Sequence, residues 1–139
     1  MAITQTMTDT CKEDLLTGDV HFDTDTFKIA LYTSDATLNA STTAYSTSNE
    51  VSGTGYTAGG NTLSGASVSV SDNIAFVDFA DTTWSSSTIT ARGALIYNTS
   101  NSNASVAVLD FGSDKTTSNS TFTVTFPAAS ATTALIRIE

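Results

Sequence analysis

Chemistry on a substrate needs a base, a nucleophile or a metal-holding cluster with its members in reach of one another. Few residues of this chain qualify. His21 is the only histidine and Cys11 the only cysteine. His21 lies between Val20 and Phe22 with no obvious nucleophile beside it, and it reads as a structural or exposed histidine. Asp19, Asp23 and Asp25 could together ligate calcium. Their spacing lacks the glycine and the terminal glutamate of an EF-hand loop, so Asx-turn caps are the plainer account. Asp78 and Asp81 have the chemistry of an acid–base pair but sit where strand-end charges oppose edge pairing. Gly59-Gly60 lacks the lysine and following helix of a phosphate loop. Trp84, the single tryptophan, could join Tyr32, Tyr45, Tyr56 and Tyr97 in an aromatic platform for a sugar. Aromatic rings bury more apolar area than other side chains, and a core position for Trp84 is the expected one. No catalytic, cofactor-binding or metal-binding residue is therefore expected.

The elements that would position these residues are mostly strands. Met7, Cys11 and Leu15 recur at helical spacing, which predicts one short N-terminal helix over about residues 9–16. Thr10 and Glu13 fit a capping box, with Thr8 or Asp9 as other caps, and Gly18 marks the stop. Cys11 then falls on the apolar face, where packing outweighs reactivity. Beyond Gly18 the period becomes two. Phe27, Ile29 and Leu31 alternate with Lys28, Ala30 and Tyr32. Val68 and Val70 alternate with serines, and Ser71-Asp72-Asn73 predicts a hairpin turn into a returning strand over 74–79. Residues 89–97 predict a longer strand interrupted at Gly93, and 106–111 a strand apolar enough to be central. Phe122, Val124 and Phe126 alternate with threonines up to Pro127, and 134–138 predict a last strand. Residues 34–64, rich in Gly, Ser and Thr, predict a long and mostly irregular excursion with one short strand near Thr62. Tyr45, Val51 and Tyr56 are its isolated apolar anchors.

Together these features predict one domain over residues 1–139. Its fold class is all-β: an antiparallel β-sandwich or jelly-roll-like domain of about seven or eight strands with one short helix. A chain of 139 residues buries a core without a disulfide or metal staple, and a lone cysteine excludes an internal disulfide. Serine and threonine make up about a third of the chain, and charged residues only 14%. The formal net charge is -9, and the five basic residues are scattered. Nucleic acid and an anionic membrane both require a basic patch, so neither is an expected partner. Residues 1–5 lack a basic n-region and no apolar stretch follows, so a signal peptide is not expected and synthesis in the cytoplasm is.

Two stretches carry a resemblance. The first is Asp25-Thr26-Phe27-Lys28-Ile29-Ala30-Leu31-Tyr32-Thr33-Ser34, with Tyr45, Asn49-Glu50-Val51-Ser52-Gly53-Thr54-Gly55-Tyr56 and Gly59-Gly60 after it. The second is Ala91-Arg92-Gly93-Ala94-Leu95-Ile96-Tyr97-Asn98, with Ala107-Val108-Leu109-Asp110-Phe111-Gly112 and Phe122-Thr123-Val124 after it. Together they resemble small virion structural proteins of tailed bacteriophages, cyanophages among them, over most of the chain from about residue 15 to 138. The resemblance implies a non-enzymatic virion component assembled in the host cytoplasm, and carries no catalytic residues or cofactor with it. Size, acidity and β content point within that class to a capsid decoration or cement protein. It would bind the major capsid protein as a homo-oligomer, with a trimer favoured. A tail, neck or baseplate component is the alternative, and a glycan-binding host-attachment module the second. The excursion and the N-terminal segment are the expected contact regions, with Tyr45, Tyr56 and Trp84 as candidate anchors.

Overall fold

The computed structural model describes residues 2–139. Its elements in chain order are β1 (Thr6–Met7), α1 (Asp9–Thr17), β2 (Phe27–Tyr32), β3 (Asn61–Thr62), β4 (Ser67–Ser71), β5 (Ile74–Asp78), β6 (Thr82–Ser87), β7 (Thr90–Asn98), β8 (Ala104–Thr116), β9 (Ser120–Val124) and β10 (Ile136–Ile138). Seven of the strands have five or more residues, and all named strand pairs are antiparallel. The domain is an all-β sandwich. A five-stranded sheet, β1-β8-β7-β2-β3, faces a three-stranded sheet, β10-β5-β4, and a two-stranded one, β6-β9.

The main core lies between these layers. Phe27, Ile29 and Leu31 of β2 and Ala94 and Ile96 of β7 meet Val77, Trp84, Phe122 and Val124 from the opposing strands. The intervening residues of β2 and β7 are buried as well. Ala30, Tyr32, Leu95 and Tyr97 form a second cluster on the outer face with Ile3, Ala36, Leu38 and Val108. The larger sheet is thus covered on both faces, which explains why β2 and β7 read as nearly continuous apolar runs. Its outer cover is the 34–64 excursion. Isolated bridges stitch that excursion down at Ile3 with Leu38, Tyr32 with Glu50, Ala44 with Ala104 and Thr54 with Thr88.

The local chemistry follows the sequence closely. Thr8, not Thr10, caps α1, accepting the Cys11 N–H at 3.2 Å, and Gly18 closes it in the left-handed conformation at φ 80°. Asp72 and Asn73, at φ 52° and 65°, form the two-residue turn between β4 and β5. Gly93 sits where a Cβ would stand 2.5 Å from the Leu109 carbonyl oxygen, so only glycine lets β7 and β8 approach. Just before it the register shifts, and residues 111–114 of β8 face the single Arg92.

Two expectations need correction. The last strand is shorter than 134–138. It begins at Ile136, because Ala131 and Ala134 fold back in a turn to pack on Phe76. And β6 has no counterpart in the sequence reading, since Trp84 is its one large apolar residue among threonines and serines.

Candidate functional site

The residues with reactive side chains are tied into structure. The Cys11 thiol is buried among the core residues that α1 covers. Burial first, and the nearby Asp14 carboxylate second, push it up to about 12, so it is a protonated, weakly reactive thiol at neutral pH. His21 is exposed, with Nδ1 3.7 Å from Asp25. The other carboxylate oxygen of Asp25 accepts the His21 backbone N–H at 2.9 Å and the Asn98 side-chain amide at 2.7 Å, the turn-closing role of an Asx residue. Asp19 accepts the Thr17 hydroxyl at 2.8 Å. Among the described residues no group of three or more His, Cys, Asp or Glu side chains converges as a metal site would require. Asp81 is likewise occupied, holding the Phe126 N–H at 2.9 Å. Asp78 keeps one buried carboxylate oxygen without a partner.

The aromatic residues do not form an exposed platform. Trp84 is only 4% exposed, packed against Tyr56 and edge-on to Phe122. This corrects its candidacy as a surface anchor: the ring fills the core. Tyr45 and Tyr56 converge instead on one carboxylate. Both hydroxyls donate to Glu50 at 2.7 Å, and the Gly59 N–H donates to it at 2.7 Å. Tyr56 also accepts the Leu31 N–H at 2.9 Å, tying the group to β2. Tyr97, stacked on Tyr45 with ring centroids 4.6 Å apart, donates to the Gly59 carbonyl at 2.7 Å. Tyr32 donates to the Ser46 carbonyl at 2.6 Å. Burial is the first cause that raises all four phenols, and their nearness to Glu50 adds to it. All four stay neutral donors at physiological pH. The cluster is a clasp that holds the excursion on the sheet. Each bond to a charged acceptor contributes about 1.5–3 kcal/mol, and the burial of Ala36, Leu38, Val51 and Leu63 in the two cores adds to it.

The least satisfied surface lies elsewhere. Strands β8 and β9 follow each other in the chain, yet β8 pairs with β7 and β9 with β6. They splay apart from the turn between them and leave a groove of about 780 Å3. Its apolar walls come from Met7, Leu109, Phe111, Phe122, Val124 and Phe126, and β10 flanks it through Leu135 and Ile136. Among the described residues, the free side of β8 is paired only by β1 and by the isolated bridge from Ala44 to Ala104, and β9 and β10 each have one neighbour. Lys115 and Arg137, two of the five basic residues, line the same groove. Sequence reasoning missed it. Both apolar strands were legible, but nothing local says that two consecutive strands will not pair.

No protein-family model, no curated protein and no solved structure matches the chain.

Proposed function

We propose that the chain is a structural protein of a tailed-phage particle. Within the particle it is a capsid decoration or cement protein that binds the assembled head and braces its shell. What supports an assembly role is the groove. The groove is an apolar, strand-edged opening, the kind of surface that accepts an extended segment of a protein partner. Cys11, Asp25 and Asp81 are tied into packing and turns, which supports a binding and building role over a catalytic one. The virion setting rests on the resemblance of its two stretches to phage structural proteins. In that setting the partner is the major capsid protein and the chain acts as an oligomer. Only the assembled shell offers the complete site, so binding stabilises the shell by mass action.

Free strand edges also suit a ring in the tail, neck or baseplate, which is the second reading. The glycan-binding reading loses its basis, because Trp84 is buried and the tyrosine hydroxyls are spent inside the clasp.

Antibody–gold labelling of intact particles of the source phage tests this. Gold over the heads is the expected result. Gold on the tail or neck replaces it with the ring reading, and absence of gold from the particles overturns the virion assignment.

A further inference from the structure

Among the described residues, three of the four large hydrophobic side chains that stand exposed lie on one sheet. Val68 is 52% exposed, Val70 72% and Ile138 48%. The register explains the grouping. Val68 pairs with Val77, which pairs with Ile136; Val70 pairs with Ala75, which pairs with Ile138. Directly paired residues share a face. Val77 and Ile136 belong to the main core, so the two valines also point to the core side of their sheet. They overhang the body, and nothing covers them. β4 is moreover an edge strand with every residue exposed and no charge or proline to block pairing. Natural edges are normally blunted by such residues.

The same three-stranded sheet carries the groove at its other margin, where β10 is the edge. We infer that the groove receives β4 of a second copy of this chain. The fit has three parts. A five-residue strand at ~3.3 Å per residue, ~4.8 Å wide and ~10 Å thick occupies roughly 800 Å3, so the groove has room for one strand and not for a folded domain. The added strand meets the free edges of β9 and β10, and its valines cover the half-buried Leu109, Phe111 and Leu135 of the groove, as in β-strand addition. The charges agree as well at Lys115, which lines the groove while exposed Asp72 follows β4 in an acidic chain; Arg137 already meets Glu139 at 3.8 Å and donates to the Ala131 carbonyl at 2.7 Å. Asp110, the acidic residue of the groove, already faces Arg92 at 3.4 Å.

Strand and groove are different patches on opposite margins of one sheet. The contact is therefore head-to-tail and closes into a ring or runs on as a filament; it is not a two-fold dimer. It deepens the assembly reading but depends only on this fold.

Complementation between two blocked variants tests it. Val70→Lys blocks the strand and keeps the groove; Leu135→Lys blocks the groove and keeps the strand. Thr123→Lys, an exposed position in the groove, is the substitute if Leu135→Lys melts early. In sedimentation equilibrium the wild type should associate beyond a dimer. Each variant alone should be monomeric, weakened at least about tenfold, and an equimolar mixture should form one-to-one pairs and stop there. A wild type that stays monomeric near ~1 mM, a Val70→Lys that associates as before, or a mixture that stays monomeric each overturns the inference. Gold labelling of the particle by a monomeric wild type would leave the virion reading standing and remove this one alone.

Discussion

Two regions of this molecule look alike in composition and behave oppositely. The 34–64 excursion and the stretch around β4 are both rich in serine and threonine, with isolated apolar residues between them. The excursion has an acidic residue at its centre, Glu50, and aromatic hydroxyls to satisfy it, and it lies pinned on the sheet. The β4 stretch has valines and no polar anchor, and it overhangs the body with both faces exposed. A long irregular segment stays down when its few polar groups find partners of fixed geometry. A regular strand stays open when the body ends before it does. The exposed element is therefore the one that looks most ordinary in sequence.

Several substitutions break or sharpen this contrast. The largest effect should come from the core beneath the excursion. Leu95→Ala and Ile96→Ala lie on opposite faces of β7, and both residues are fully buried. Each should destabilise by about 2–5 kcal/mol in urea denaturation. A cost below ~1 kcal/mol for Leu95→Ala alone would mean that the excursion is no true cover.

Glu50→Ala leaves two tyrosine hydroxyls and the Gly59 N–H without their acceptor. About 1–3 kcal/mol of stability should go with it, and faster amide exchange should appear over residues 45–60 while β4 is unchanged.

Raising the pH should loosen the same region gradually. Burial raises Tyr32, Tyr45, Tyr56 and Tyr97, and raises Cys11 to about 12, above their ordinary values near ~10 and ~8.5. The folded state then holds protons that the unfolded chain releases first. Their stabilisation is complete below about pH 8.5 and declines as the pH climbs through 9–12. Urea midpoints at neutral and alkaline pH should fall in that order, with tyrosinate absorbance appearing only as the chain unfolds. Tyrosinate absorbance that develops at ordinary pH while the fold persists would show that the phenols are open to water.

The smallest stability effect belongs to β4. Val70→Thr should change the urea midpoint by no more than ~0.5 kcal/mol, because so exposed a side chain makes few contacts within its own domain. A loss above ~1.5 kcal/mol in dilute monomer would place Val70 in the chain's own core.

Much of the fold was legible before any coordinates. Period-two runs located β2, β4 and β9, the turn at Ser71-Asp72-Asn73 located β5, and longer apolar stretches located β7 and β8, while Gly18 marked the end of the helix. β6 was hidden because strand propensity in a run of threonine and serine is carried by pairing with β9, and pairing is not a local property. The surroundings of the candidate anchors were not legible for a related reason. Tyr45 and Tyr56 stood out as isolated aromatics, yet what they touch depends on Glu50 reaching both hydroxyls, which spacing in a loop does not fix. The Val68 and Val70 alternation located the strand but not its exposure, because alternation says which face is apolar and not whether anything covers it.

Amide hydrogen exchange on the wild-type chain, dilute against concentrated, tests the central contrast most directly. Residues 45–60 should be equally protected in both samples, because the clasp closes within one copy. The N–H groups of residues 67–71 and 121–125 that point away from β5 and β6 should exchange freely when dilute and gain protection together when concentrated. Protection gained in the excursion, with β4 and β9 unchanged, would contradict the account and return the contact surface to the 34–64 segment.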